Sequence, residues 1–205
     1  MALLSESEQQ QVTQAITALE RQTDAELVTV LAGQADDYSY IPLLWASLVA
    51  LLVPGALNYY FLWLNAQELL LAQWATFAVF ALLLRIPSLT TRLIPRPVRH
   101  WRAANLARRQ FLEQNLHNTS GATGMLIFVS EAEHYVEILV DRGISSQIPD
   151  ENWQTIVTTF TQQVKQGHTL QGFLDCIDAC GEHLKLHLPA THTRNELPNH
   201  LVILP

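Results

Sequence analysis

The chain reads as an α/β domain with a small mixed sheet and flanking helices, interrupted by a transmembrane helical hairpin. Three observations predict this. Glu26–Gly33 (ELVTVLAG) and Met125–Ser130 (MLIFVS) are short, β-branched and almost wholly apolar, as strands covered on both faces are. Amphipathic stretches of helical period precede and follow them. Between Ile41 and Ile86 the only charged side chains are Glu68 and Arg85. A run of about 20 apolar residues is what crossing the hydrocarbon of a bilayer requires.

Taken in order, Ser5–Gln22 is the first helix. Ser5 and Ser7 offer N-caps, Glu8 is placed for a capping box, and Val12, Ala15, Ile16 and Leu19 form its apolar stripe. The strand Glu26–Gly33 follows. Two apolar runs then stand back to back, Leu43–Leu64 and Gln67–Leu84, turning at Asn65-Ala66-Gln67-Glu68. A helix of 22 residues rises about 33 Å, enough to span. Pro54-Gly55 is expected to loosen the first run, and Trp74, in mid-span, to pack on the partner helix. After Pro95 and Pro97 a helix covers Val98–His117. The turn to Gly124 opens the strand Met125–Ser130. His134–Asp141 alternates Val136, Ile138 and Val140 with Tyr135, Glu137 and Leu139, a third strand after a short turn and hence antiparallel. Pro149–Gln166 and Leu170–Leu188 are the closing helices. The first two strands are joined by a crossover and are expected to be parallel. Leu201–Leu204 is an apolar segment that fits a further edge strand.

These elements divide the chain into 1–40, the first part of the α/β domain; 41–86, the hairpin; 87–97, a basic juxtamembrane linker; 98–188, the second part of the domain; and 189–205, a C-terminal tail. Seven of the twelve basic residues fall between Arg85 and Arg109, while the hairpin tip carries none. Basic residues stay on the cytoplasmic side, so the reading is a two-span protein of the cell inner membrane with both termini cytoplasmic. Arg92, Arg96, Arg99 and Arg102 are then expected to meet the membrane surface. Outside that run and Glu68, five bases face eighteen acids. Such a surface argues against nucleic acid as a partner. Cys176 and Cys180, in a reducing compartment, are not expected to form a structural disulfide.

Specific residues carry a family resemblance. ERQTDAE at Glu20–Glu26 runs into LVTV; Asp37-Tyr38 follows, then Ala107 and Phe111, then TGMLIFVSEAEHYVEILVDRGI, then Trp153. This order resembles the TPM domain family. The hairpin placed after "DDY" and the "NELPN" near the end are similar to a bacterial branch of membrane proteins with an internal two-helix hairpin. The resemblance implies an α/β sandwich with a small sheet. It also implies roles proposed for family members: acid phosphatase, calcium binder, or assembly and repair factor for membrane complexes. The partners it implies are a LemA-type membrane protein or a second TPM protein.

Strand direction sorts the carboxylates. Asp36, Asp37, Glu131 and Glu133 follow the C-terminal ends of the parallel strands, near the Arg92–Arg102 group. There they either pair with those arginines or line a ligand crevice of the kind open α/β sheets form. At the opposite end Glu20, Glu26 and Asp141 are expected to converge. Three hard oxygen donors, with Asp24 nearby, suit calcium or another divalent cation. The alternative is that Glu20 and Glu26 accept backbone amides at the Thr23-Asp24 turn, with Arg142 or Arg21 as partner. Cys176, Cys180, His183 and His187 share one helix face, but four ligands along one straight helix cannot converge tetrahedrally, so core cysteines beside boundary histidines are expected. Ser120–Gly124 (SGATG) is either an anion-binding nest or a plain turn. No nucleophile elbow, P-loop, dinucleotide fingerprint or D-x-D nucleophile occurs.

The function this supports is a membrane-anchored, non-enzymatic accessory or scaffold factor for a membrane protein complex, with no organic cofactor. A divalent-metal-dependent acid phosphatase or calcium-binding module is the alternative. A pore lined by the spans would need more polar residues than Asn58, Gln73 and Thr76.

Overall fold

The computed structural model describes residues 3–38, 40–61, 63–84, 94–191, 196–198 and 201–204. The chain forms two compact units, an α/β unit of Met1–Ala35 with His100–Pro205 and a hairpin unit of Asp36–Arg99.

In the α/β unit, helix α1 (Glu6–Glu20) precedes strand β1 (Glu26–Ala32). The chain returns from the hairpin unit through helix α4 (Arg96–Glu113), whose residues from His100 onward lie in the α/β unit. Strands β2 (Gly124–Ser130) and β3 (Tyr135–Val140) follow, then the one-turn helix α5 (Arg142–Ser145), helices α6 (Glu151–Lys165) and α7 (Thr169–His187), and strand β4 (Leu201–Leu204). The sheet order is β3-β2-β1-β4. β1 pairs in parallel with both β2 and β4, and β3 runs antiparallel to β2. The mixed sheet, the strand directions and the added edge at Leu201–Leu204 are those expected from the sequence.

Every residue of β1 and β2 is buried because both sheet faces are covered. Leu27, Leu31, Met125, Ile127 and Val129 pack beneath α1, α6 and α7, joined by Val12, Ile16, Phe160 and Phe173. Val28, Val30, Leu126 and Phe128 pack on the other face against Ala103 and Ala107 of α4. The small alanines let α4 approach the strands closely. Burying a side chain such as Phe128 stabilises by about 1.5–3 kcal/mol. The Ser5–Glu8 capping box forms in both directions and starts α1. One boundary differs from the expected Val98–His117. α4 ends at Glu113 because Asn115 takes a left-handed φ of 58°, and a single tight turn, Leu116–Asn118, carries the chain on.

In the hairpin unit, helices α2 (Tyr40–Tyr60) and α3 (Ala66–Leu83) pack on each other. α2 buries Pro42, Ala46 and Ala50, a small-residue stripe at a spacing of four that suits close helix contact. The half-buried residues of α3 recur at helical spacing, Leu69, Gln73, Thr76 and Phe80. Asn65 and Glu68 cap α3 reciprocally, with Glu68 N–H to Asn65 Oδ1 at 3.0 Å and Asn65 N–H to Glu68 Oε2 at 2.9 Å. The one acid of the hairpin is therefore a cap at its turn. Trp74 departs from expectation. It lies 69% exposed and edge-on to Phe77 of its own helix, not against α2, because the α3 stripe facing α2 passes through Gln73 and Thr76 instead. Tyr38, Ile41 and Ile94 form a small separate cluster in this unit. Linker residues 87–93 lie outside the described residues.

Candidate functional site

At the N-terminal end of β1, the register sets Glu26 opposite Gly124, and the Asp141 N–H donates to the Gly124 carbonyl at 2.9 Å. Glu20 closes α1 a few residues earlier. The three acids expected at this end of the sheet are thus all placed there, but they do different work. Glu20 Oε1 accepts the Leu27 N–H at 2.9 Å. β4 pairs with β1 only from Thr29 onward, so this carboxyl serves an amide that no strand reaches. Its Oε2 is buried without a hydrogen-bond partner. Glu26 Oε1 and Oε2 accept the N–H groups of Glu196 and Leu197 at 2.9 and 3.3 Å. Asp141 caps α5 by accepting the Arg142 N–H at 2.7 Å.

A cavity of about 730 Å³ opens here, lined by Glu20, Asp24, Glu26, Ser120, Thr191 and Glu196 among others. Its floor depends on two glycines of the sequence motif. A Cβ on Gly143 would lie 2.3 Å from the Gly121 carbonyl oxygen, and one on Gly124 would lie 2.1 Å from that of Leu116. Only glycine lets α5 and β2 approach these turns.

The remaining wall is the C-terminal tail. Thr23 Oγ1 donates to the Leu188 carbonyl at 2.6 Å. Asp24 accepts from Thr191 N–H at 2.9 Å and Thr191 Oγ1 at 2.5 Å. The Ser120 N–H donates to Glu196 Oε2 at 2.9 Å, and the Ser120 hydroxyl donates to Oε1 of the same carboxylate. Burial pushes Glu20 up to about 8, against the pull of the Leu27 amide and with the charge of Glu26 adding to it. Burial also raises Glu26; the Glu196 and Leu197 amides oppose this, and the Glu196 carboxylate reinforces it.

The backbone-amide alternative for Glu20 and Glu26 therefore describes their bonding, although the amides come from β1 and the tail and not from the Thr23-Asp24 turn. Sequence reasoning missed Asp24, Ser120, Thr191 and Glu196 as one group. The "NELPN" string was the available signal, but no spacing argument joins residue 196 to residue 26.

At the other end of the strands, buried Glu133 accepts from Ala35 N–H at 3.1 Å and from the Ser130 hydroxyl, while Glu131 accepts from Thr169 Oγ1 at 2.8 Å. Asp36 and Asp37 belong to the hairpin unit, where Asp36 Oδ1 accepts the Tyr38 N–H at 3.4 Å. Arg96 is exposed, Arg99 is half-buried, and Arg102 lies 5.1 Å over the Trp101 ring; Arg92 lies outside the described residues. On α7, Cys176 and Cys180 are buried free thiols with sulfurs 4.0 Å apart. His183 stacks edge-on to Trp153 at 5.7 Å, and His187 is exposed. The histidines are thus boundary residues, as expected.

The model of the TPM domain matches residues 94–183. A solved structure, the NMR structure of BA42 protein from the psychrophilic bacterium Bizionia argentinensis, is similar over 98% of this chain and 94% of its own, with a TM-score of 0.61 and 19% identity. Residues 94–183 thus carry the TPM domain match, and the likeness to BA42 shows a shared fold. No curated protein matches the chain. The matched residues run from α4 into α7 and include Asp141. Glu20 and Glu26 lie before them, on the far side of the hairpin in sequence. The BA42 likeness extends the shared fold to α1 and β1.

The calcium expectation can be set against this geometry. Among the described residues no three His, Cys, Asp or Glu side chains are grouped to hold a metal ion. Asp141 Oδ1 caps α5 and both Glu26 oxygens accept amides, which leaves Glu20 Oε2 and Asp141 Oδ2.

Proposed function

We propose that this chain is a membrane-anchored, non-enzymatic accessory or scaffold factor that docks on another membrane protein, with the hairpin in the inner membrane and the α/β unit in the cytoplasm. The observation that carries the reading is the surface of the hairpin unit. α2 and α3 are both long and apolar enough to cross a bilayer, and α3 buries no residue at all. Leu51, Leu52, Leu71 and Leu82 are each about 70% exposed. A patch of that extent is not tolerated in water and is what lipid requires. Tyr59, Tyr60 and Trp63 at the tip suit the headgroup region, and Arg96, Arg99 and Arg102 suit anionic headgroups on the cytoplasmic side. At the candidate site Asp24, Glu26, Asp141 and Glu196 are engaged in caps and latches. The family resemblance points to a LemA-type protein or a second TPM protein as partner.

The reading is tested by isolating the full chain in mild detergent and identifying stoichiometric companions by mass spectrometry. A defined membrane-protein complex supports it. A lone chain that leaves the membrane under alkaline carbonate overturns it.

A further inference from the structure

The Ser120–Gly124 turn holds an anion, and the anion comes from the chain itself. Both oxygens of Glu196 are taken by Ser120, one by its N–H and one by its hydroxyl. Beside this seat Glu26 accepts two successive main-chain amides, Glu196 and Leu197, and Asp24 accepts the amide and hydroxyl of Thr191. These contacts read features of a peptide: a hydroxyl residue at Asp24, and an acid with an apolar residue after it at Ser120 and Glu26. Leu197 fills an apolar position beside Val202 and Leu204. No contact requires that the peptide belong to the same chain.

We infer that this edge is a peptide-binding seat for a segment of a partner protein carrying an acidic residue followed by an apolar one, and that Thr191, Glu196 and Leu197 are its intramolecular mimic. The tail is suited to exchange. Its hold on the seat is made of hydrogen bonds at a partly open rim, and Leu201 is its one fully buried residue among those described. Such segments open at lower free energy than the sheet they cover. A partner must compete with the tail, so the seat's apparent affinity is lowered by the fraction of time it is closed.

The test uses the full chain in detergent micelles and a fluorescent synthetic peptide, LPATHTRNELP, copying residues 188–198. Glu196→Ala frees the seat. Binding by anisotropy is expected to be about tenfold tighter than to the wild-type chain. It should be lost when the peptide's Glu is changed to Ala, or when Ser120→Ala is added to the protein. Equal binding of the peptide with and without its acid would overturn the proposal. So would displacement of Glu196 from Ser120 by inorganic phosphate in the wild-type chain with no peptide binding to Glu196→Ala, which would mark a small-anion site. Native-state hydrogen exchange on the wild-type chain guards against variants that misfold. The Ser120, Glu196 and Leu197 amides should exchange well before those of β1 and β2. Exchange only with global unfolding would make the tail a permanent wall and overturn the proposal.

Discussion

The hairpin unit and the α/β unit are both rich in large apolar side chains, yet dispose of them in opposite ways. Phe128, Phe160 and Phe173 of the α/β unit are essentially fully buried. On α2 and α3 the corresponding bulk, from Leu43 to Leu83, faces outward, and what the helices turn toward each other is Ala46, Ala50, Gln73 and Thr76. A chain folding in one solvent would not sort its residues both ways. The difference supports the proposed anchor, with the α/β unit built for water and the hairpin unit for hydrocarbon.

This contrast can be broken at four points. The largest effect is expected for Phe128→Ala, which empties the α4 side of the sheet. It should destabilise the α/β unit by about 3–5 kcal/mol in denaturant unfolding while leaving membrane association intact. The converse is Leu51→Lys, on the outward face of α2. A charge near the middle of a span costs about 2.5–3.5 kcal/mol, so carbonate-resistant membrane association should fall while the unfolding midpoint of the α/β unit stays put. If Leu51→Lys instead unfolds the α/β unit, the outward face is not a lipid face.

A smaller effect concerns Glu20. Its folded value, about 8, lies above its ordinary 4.5, so its contribution to stability is fully present below about pH 4.5 and is lost as pH rises through 8. The wild-type chain should therefore lose on the order of 1–2 kcal/mol across that window, and Glu20→Gln should flatten the profile. A profile unchanged by Glu20→Gln would mean that the carboxyl is open to water. The smallest effect expected is none. p-Nitrophenyl phosphate with calcium, magnesium or manganese should show no turnover by the purified chain, and turnover lost in Asp141→Asn would establish the phosphatase alternative.

Much of this architecture was legible in the sequence because it follows from local pattern. β1 and β2 announced themselves as β-branched runs, the capping box at Ser5 followed from spacing, and Leu201–Leu204 was visible as a spare apolar edge. The misjudgements have physical causes. Asn115 ends α4 early because its own backbone turns left-handed, which its neighbours do not betray. Trp74 faces outward because the half-buried stripe of α3 passes through Gln73 and Thr76 on another side of the helix. At the candidate site, strand direction placed Glu20, Glu26 and Asp141 at one end. The partners of Glu26 could not be foreseen, because the tail that supplies them returns from some 170 residues away. A carboxylate holding amides and one holding an ion look alike in one dimension.

The proposed membrane anchor is tested most directly by placing a cysteine at Gln67, in the hairpin turn. Cys176 and Cys180 are buried, so background labelling is low. A membrane-impermeant maleimide added to intact cells should label Gln67→Cys, placing the tip outside. Labelling that appears only after lysis would contradict the proposed topology, and a labelled chain recovered free of membranes would contradict the anchor itself.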